Sequence, residues 1–272
     1  MTANAVPHPG SRQQPVIDTS TPHSARVWNY WLGGKDHYAA DRAIGEQVRA
    51  LVPEITTIAR ESRAFLGRVV RFLAGEVGIR QFLDIGTGLP SADNTHEVAQ
   101  RIAPDARIVY VDHDPLVLVH ARALLTSTPE GATTFLQADV HQPDAILAEA
   151  ERLLDLTQPV ALMMLGILGN VADTDEARSI VTRLLDAVPP GSYLVVNDGT
   201  VPTGEAAAAS REAARRRGEA GDPYYIRTPD EFARFLDGLE IVQPGVVSTS
   251  LWRPEPGTNP AHVDSHCGVA RK

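Results

Sequence analysis

The chain has 272 residues, of which 43% are hydrophobic and 22% charged, so it can bury the core of an ordinary globular protein. Its formal net charge of −9 argues against a nonspecific nucleic-acid binder, because such proteins neutralise phosphates with Lys and Arg. No apolar stretch is long enough to span a membrane, and the N-terminus lacks the apolar core of a secretory signal. With its single cysteine, Cys267, the chain is expected to be cytoplasmic, and residues 1–16 are expected to form a flexible tail.

Residues 17–78 precede the first predicted strand and are expected to form a cap segment followed by a helix. Within them, residues 26–41 combine clustered aromatic and charged side chains with the pair Gly33-Gly34, which should interrupt a helix. We interpret this segment as a cover over the sheet, since rigid aromatics would exclude water from a reaction. The alternative is that Trp28, Tyr30 and Trp31 are core residues packed on the sheet. Residues 62–77 carry apolar side chains at helical spacing.

From Gln81 onward, short apolar runs alternate with amphipathic helices, a pattern typical of an α/β protein with a doubly wound, mainly parallel sheet. The runs are nearly unbroken, as expected for strands covered on both faces, and lie at residues 82–85, 108–111, 134–136, 160–165 and 193–196. Residues 241–247 and 267–270 are further strand candidates. Helices are predicted from Asn94, from Pro115, over 146–154, after Thr174, and after a capping box of Thr228 and Glu231. An alanine-rich stretch ending in Arg215, Arg216 and Arg217 predicts a helix with a solvated basic end.

The strongest local motif is FLDIGTGLP, at residues 82–90, where a strand ends in an acid and is followed by Gly-x-Gly and a predicted helix. Glycines suit this position because the chain must turn tightly and let a ligand approach the backbone without a Cβ in the way. The two-glycine core alone is a weak motif, and its place between a strand and a helix strengthens it.

Two further acids follow the next strands. Asp112 ends the second predicted strand, 24 residues beyond Gly88, where a nucleotide-binding fold places the acceptor for the ribose hydroxyls. Alternatively, Asp112 caps the helix that begins at Pro115, although Asp114 is the better capping candidate. Asp139, after the third strand, can accept from an adenine amino group while Val140 supplies an N–H and an apolar contact. An ordinary turn aspartate is the alternative for Asp139.

These motifs together resemble a known family. The stretches PHSARVWNYWLGGKDHYAADR, FLDIGTGLP, HEVAQRIAPDARIVYVDHDP and ARALL are similar to actinobacterial S-adenosylmethionine-dependent methyltransferases of largely unassigned substrate. The resemblance extends over residues 17–272. It implies a Rossmann-like sheet of seven strands, the last antiparallel, in a domain of residues 79–272 that binds S-adenosylmethionine and methylates an unidentified small-molecule acceptor.

The resemblance also assigns residues by position. The methionine half of the cofactor falls to Asp84, Gly86, Thr87, Gly88 and Leu89; the ribose to Asp112, with His113 beside it; the adenine to Asp139 and Val140; and the space under the sulfonium to Leu165 and Gly166. Arg63 is placed to reach the cofactor carboxylate as a charged donor, with a solvated surface arginine as the alternative. No metal ligands are predicted. The candidate acceptor residues are Tyr30, Asp36, His37, Tyr38, Asn170 and Asp198.

The chain departs from the family's pattern at Pro90, at Gly169-Asn170, where related sequences often carry histidine, and at Asn197-Asp198. The last two loops face the acceptor, so no catalytic residue is assigned; the candidate bases are His37, Tyr38, His96, His113 and Asp198. Two other functions remain open. One is a nicotinamide dehydrogenase, although its third glycine is missing, and the other is a noncatalytic S-adenosylmethionine sensor.

Overall fold

A computed structural model describes residues 17–91, 93–124 and 126–272. The expected flexible tail, residues 1–16, lies outside the described residues. The α-helices in these ranges are α1 (Ser24–Trp31), α2 (Ala39–Leu51), α3 (Ile55–Arg71), α4 (Thr95–Ile102), α5 (Pro115–Leu124), α6 (Pro143–Ala150), α7 (Thr174–Asp186), α8 (Ala206–Glu219) and α9 (Pro229–Ala233). The strands are β1 (Gln81–Ile85), β2 (Arg107–Asp112), β3 (Ala132–Gln137), β4 (Ala161–Leu165), β5 (Tyr193–Gly199), β6 (Glu240–Ile241), β7 (Val247–Ser248) and β8 (Ser265–Arg271).

The strands form one mainly parallel sheet, as the alternating pattern predicts. Their order is β3-β2-β1-β4-β5-β8-β6, with β7 also paired to β8. Strands β1 to β5 run parallel, and β8 pairs antiparallel with β5. The strand order reverses at β1, which pairs with β2 on one side and with β4 on the other. Open α/β sheets bind their ligands at such a switch point, outside the carboxyl ends of the strands.

The number of strands differs from the seven that the resemblance implies. The described residues contain eight, because the candidate strand at 241–247 is split into β6 and β7. These two short strands pair with opposite ends of β8. Between them the chain turns at Pro244 and at Gly245, which has φ 98°. Proline has no N–H to donate to a ladder, so a continuous strand cannot form there.

Alternate residues of the central strands face two apolar layers. Phe82 packs with Phe65 of α3 and Val98 of α4 on one face, and Leu83 and Ile85 pack with residues of α6 and α7 on the other. This is the doubly wound arrangement, in which strands buried on both sides are apolar throughout. The same alternation places Asp84 on the face covered by α3 and α4.

The cap is a pair of helices broken at the predicted glycines. Gly33 has φ 80°, and a Cβ on Gly34 would lie 2.4 Å from the Asn29 side chain, so α1 ends before this turn. We did not predict α2 from the sequence. Helix α3 begins at Ile55, earlier than predicted, and continues into a π-helical turn, Phe72–Val77.

The cap packs mainly on other helices and not on the sheet. Trp31 and Val27 of α1 join Ile44 and Val48 of α2 and Ala213 of α8 in one apolar cluster. The basic end predicted for α8 is therefore only partly solvated. Arg217 is 7% exposed and pairs with Asp222 at 2.5 Å, because the cap covers this helix end. None of the described helices combines the length and the hydropathy that crossing a bilayer requires.

Candidate active site

A cavity of about 340 Å³ lies at the carboxyl ends of β1 to β4, where the strand order reverses. Its other walls come from α1, from α3 and from the segment that follows α8. Every residue assigned to the cofactor from the sequence lines this cavity: Arg63, Asp84, Gly86, Thr87, Gly88, Leu89, Asp112, His113, Asp139, Val140, Leu165 and Gly166. The structure therefore brings together residues that are as much as a hundred positions apart in the chain.

The turn after β1 has the conformation that its glycines predict. Gly86 and Gly88 have φ 76° and 67°, in the left-handed region that favours glycine. The Gly86 and Thr87 N–H groups both donate to the Val111 carbonyl, at 2.8 and 3.2 Å, which ties this turn to the end of β2. A Cβ on Gly86 would lie 2.5 Å from the Ile167 side chain, whereas a Cβ on Gly88 would meet nothing within 4 Å. Backbone is thus exposed to a ligand at Gly88.

The Asp112 carboxylate is held in place by two backbone donors. Its Oδ2 accepts from the Gly88 N–H at 2.7 Å, and its Oδ1 accepts from the Asp114 N–H at 2.9 Å. The capping role belongs to Asp114, whose Oδ1 accepts from the Leu116 N–H at 2.9 Å. Asp112 is 8% exposed, and burial raises the pKa of its carboxyl group.

A carboxylate and a guanidinium lie together at the α3 side of the cavity. Asp84 is 3% exposed and accepts from the Thr95 hydroxyl at 2.6 Å. Burial raises the pKa of Asp84 to about 6, against the lowering effect of that hydrogen bond and of Arg63. Arg63 is not a solvated surface residue, because it lies against the cavity and donates to the Asn94 side chain at 3.0 Å. Its burial lowers the pKa of its guanidinium.

The opposite end of the cavity carries histidines around Asp139. The His141 backbone N–H and ring Nδ1 lie 3.0 and 2.7 Å from Asp139 Oδ1, an Asx-type turn. Val140 beside it is buried. The His113 ring faces the His23 ring of the cap, with 6.4 Å between the centroids and 19° between the planes. A planar ligand group would have apolar and aromatic surfaces near it here.

Of the six predicted acceptor residues, Asn170 alone lines the cavity, and four of the other five lie in the cap. Tyr30 donates to Glu46, and the Asp36 carboxylate faces His120 at 3.7 Å. The remaining two are His37, which contacts the Gly34 carbonyl, and Tyr38, whose ring lies under the Arg26 guanidinium. The expectation for these four is corrected, because the turn between α1 and α2 directs them toward the helices of the cap and toward α5.

Helix α1 supplies the cap side of the cavity instead. The wall is lined by Ala25, Trp28 and Asn29 of α1 and by Leu32, which directly follows the helix. The spacing of these residues places them on one face of a helix, and the lining position of Trp28 agrees with the cover predicted for this segment and not with the alternative core role. Tyr224, which follows α8, lines the same region and was missed. Nothing local in its sequence links it to the loops after β1 to β4.

Two of the three departures from the family's pattern, at Gly169-Asn170 and at Asn197-Asp198, meet at Tyr224. Its hydroxyl donates to Asp198 Oδ1, and Asp198 Oδ2 accepts from the Gly169 N–H at 2.8 Å. A Cβ at position 169 would lie 2.4 Å from the tyrosine ring, so a larger residue there would displace Tyr224. Asn170 lines the cavity as predicted, whereas Asp198 lies behind Tyr224, where burial raises its pKa to about 6.

Of the candidate bases, His113 alone lines the cavity. His96 is 2% exposed, and its Nδ1 lies 2.9 Å from the Tyr110 hydroxyl. It is therefore a buried residue of α4 that contacts β2, and not a surface residue. The hydrogen bond to Tyr110 and the burial together lower its access to any ligand. The structure therefore leaves His96 without a role at the cavity.

Replacing Asp84 with asparagine should flatten the pH dependence of stability. A carboxyl pKa raised to about 6 in the folded protein makes the folded state bind more protons than the unfolded state between pH 4 and 6. Stability is then greatest below pH 4 and falls as the pH rises through 6, by about 3 kcal/mol for a shift of about two units. Urea unfolding at pH 5 and pH 7.5 covers the upper half of this decrease, about 1.4 kcal/mol in the wild type, and should show that Asp84→Asn has lost it.

Asp105→Asn is the matched control, because its carboxylate is 64% exposed and lies away from the cavity. Asp198 has a similarly raised pKa, so part of the decrease should remain in Asp84→Asn. If the Asp84 variant followed the wild-type stability at every pH, the ionised Asp84 would carry no cost in the folded protein. The buried acid would then have to be stabilised by charges that balance its desolvation.

Comparison with known proteins shows the family. A family model for S-adenosyl methyltransferases matches residues 10–272. A solved structure of a DUF574 family protein from Streptomyces avermitilis is 42% identical, with a TM-score of 0.89 over 94% of this chain and 100% of that chain. A proposed methyltransferase from Thermobifida fusca is 41% identical, with a TM-score of 0.86 over 97% and 99% of the two chains. No curated protein matches this sequence.

These matches remove the dehydrogenase alternative. They agree with the mainly parallel sheet, the reversal of strand order at β1 and the antiparallel last strand. They cover the cap as well as the sheet, so the chain resembles its relatives over nearly its whole length. The chain belongs to the S-adenosyl methyltransferase family and is an S-adenosylmethionine-dependent methyltransferase.

Proposed function

We propose that the chain transfers the methyl group to a small molecule bound between the strand ends and helix α1. The observation that carries this proposal is the lining of the cavity, whose wall from α1 and the segment after α8 faces the strand ends that carry the cofactor residues. The chain's formal charge of −9 argues against RNA or DNA as the acceptor. In the basic end of α8, Arg215 and Arg216 pair with Glu212.

We propose one orientation for the cofactor in the cavity. The exposed backbone at Gly88 and the buried carboxylate of Asp112 suit the ribose, whose hydroxyls would donate to Asp112. The adenine would lie beside His113 and Val140, with Asp139 accepting from its amino group. The methionine end would then reach Asp84 and Arg63, a carboxylate and a guanidinium that match its ammonium and carboxylate groups. The sulfonium lies between these ends, over Leu165 and Gly166.

S-adenosylmethionine supplies a methyl group on a sulfonium, an excellent leaving group. In the transfer, the acceptor's nucleophilic atom forms a bond to the methyl carbon while the carbon–sulfur bond breaks, and S-adenosylhomocysteine leaves with the electron pair. The chain's contribution is to position the acceptor in line, which can lower the barrier by about 7–11 kcal/mol. No residue is assigned here as a base.

The acceptor side of the cavity favours an uncharged, partly apolar molecule. The residues on this wall are neutral and largely apolar or aromatic: Ala25, Trp28, Asn29, Leu32, Asn170, Pro223 and Tyr224. Arg217 and Asp222 also line it, but their charges are paired with each other at 2.5 Å. An acceptor with a planar apolar body would bury surface against Trp28 and Tyr224 without leaving a charge unpaired.

The methyl group should be found in a small molecule when the protein works on a native mixture. We expect that incubating the protein with methyl-tritiated S-adenosylmethionine and an actinobacterial cell extract, from which small molecules have not been removed, labels the fraction that passes an ultrafilter. Calorimetry in parallel should show binding of S-adenosylhomocysteine and no binding of NAD.

The protein is proposed to lie in the cytoplasm. A free, buried Cys267 suits that reducing compartment, and fractionation of host cells would check the location.

Asp112→Ala is the control for this experiment, since it should remove the label along with cofactor binding. Radioactivity retained with protein or RNA would contradict a small acceptor. Cofactor binding without label in any fraction would favour the noncatalytic sensor. These outcomes separate the identity of the acceptor from the binding of the cofactor.

A further inference from the structure

A buried arginine in the cap contacts the turn that carries the proposed ribose carboxylate. Arg26, on α1, is 4% exposed, and its Nε lies 3.2 Å from Asp114 Oδ2. Asp114 is 2% exposed. Neither of these two atoms makes a hydrogen bond within the described residues, so they face each other as an ion pair, and the His23 Nδ1 lies 3.3 Å from the same carboxylate oxygen. Each therefore depends on this ion pair to offset its desolvation.

The rest of the guanidinium is fixed within the cap. Its two terminal nitrogens donate to the carbonyls of Asp18 and Thr21, at 2.9 and 3.3 Å. Its Nη1 lies 3.8 Å from the fully buried Asp41, whose carboxylate accepts from the His23 and Tyr38 N–H groups at 2.9 and 2.7 Å. Arg26 is thus held by the starts of both cap helices.

The other side of the pair leads to Asp112. The Asp114 carboxylate is fixed by the Leu116 N–H and by Arg26, and the Asp114 N–H in turn donates to Asp112 Oδ1. If Arg26 were absent, a buried and unpaired Asp114 carboxylate would move toward solvent. That movement would rotate the turn and withdraw one of the two donors that orient Asp112.

We propose that Arg26 is a positioning residue that orients the Asp112 carboxylate for the ribose hydroxyls through Asp114. The inference rests on the proposed function in one respect, the binding of the ribose by Asp112. It makes the cap part of the cofactor site although Arg26 does not line the cavity.

The test compares two ligands in two proteins by calorimetry. The ligands are S-adenosylhomocysteine and its analogue without the ribose 2′-hydroxyl, and the proteins are the wild type and Arg26→Gln. We expect Arg26→Gln to bind S-adenosylhomocysteine at least about tenfold more weakly, the factor for one hydrogen bond to a charged group. The loss should be much smaller for the deoxy analogue, because that ligand makes less use of Asp112. A general disruption of the cap would weaken both ligands equally.

Three further variants complete the design. Asp114→Asn should show the same dependence on the hydroxyl while keeping the contacts of Arg26 inside the cap, so it serves if Arg26→Gln does not fold. Arg26→Lys keeps the charge and should recover part of the affinity. Arg71→Gln removes an exposed ion pair with Glu255 away from the cavity and should change neither affinity.

Two outcomes would overturn the inference in different ways. If the wild type binds both ligands equally, Asp112 does not hold the 2′-hydroxyl, and the proposed ribose site fails together with the inference. If the wild type discriminates between the ligands and Arg26→Gln and Asp114→Asn discriminate as strongly, the ribose site stands and the role of Arg26 is wrong.

Discussion

Replacing Asp112 with alanine should weaken binding of S-adenosylhomocysteine at least about a hundredfold. The ribose offers two hydroxyl donors, and each hydrogen bond to a charged acceptor contributes about 1.5–3 kcal/mol. The variant also leaves the Gly88 and Asp114 N–H groups without the acceptor that orients them. Calorimetric titration of the folded variant measures the effect directly.

Asp105→Ala is the matched control, since it removes a carboxylate that is 64% exposed and paired with Arg80 on the surface. Its affinity should equal that of the wild type. An unchanged affinity in a folded Asp112→Ala would assign the ribose to another residue. Asp112 would then serve the turn after β1 alone, as the acceptor for the Gly88 N–H.

Replacing Gly86 with alanine should be the most destabilising single change in the turn after β1. The residue has φ 76°, which costs a side-chain-bearing residue about 1–2 kcal/mol. A Cβ would also lie 2.5 Å from the Ile167 side chain, and overpacking of this kind costs about 1–3 kcal/mol. We therefore expect a loss of about 2–5 kcal/mol in the free energy of unfolding by urea, a large part of the stability of a typical domain.

Gly88→Ala separates the two causes. It has φ 67° but no neighbour within 4 Å of an added Cβ, so it should lose only the backbone part. Shortening Ile167 to alanine in the Gly86→Ala background should restore some stability, because it removes the Cγ1 and Cδ1 atoms that would lie 2.7 Å from the added Cβ, although the Ile167 Cβ at 2.5 Å remains. Equal losses at Gly86 and Gly88, with no recovery by Ile167→Ala, would show that packing against the loop after β4 has no part in the effect.

Strands and their end residues were predictable because local rules decide them. Apolar runs buried on both faces, followed by an acid or a glycine, indicated β1 and β2 together with Asp84, Gly86, Gly88 and Asp112. In a parallel sheet such strand ends lie at one edge, so residues far apart in the chain become neighbours without further information. The capping box that begins α9 is local in the same sense, and it is observed as predicted.

Contacts between distant side chains were not predictable from the same rules. Arg217 was expected at a solvated helix end and Arg26 was assigned no role, and both are buried ion-pair partners in the structure. Burial depends on which helix covers them, and helix periodicity does not specify the partner of an apolar face. The same reason explains why Tyr30 and Tyr38 were expected at the cavity and lie elsewhere.

The amino-acid sequence by itself determined the mainly parallel sheet and the acids and glycines at its carboxyl edge, because these follow from periodicity, glycine conformation and strand-end chemistry. Its motifs also identified the family, through their resemblance to known methyltransferases. The tertiary structure decided which face of α1 covers the cavity and which residue after α8, Tyr224, completes its wall. It also decided the division of the strand before β8 into β6 and β7. Those features depend on packing between elements far apart in the chain. The free energy of that packing comes from burying apolar surfaces against each other, and no local sequence pattern specifies which surfaces will meet.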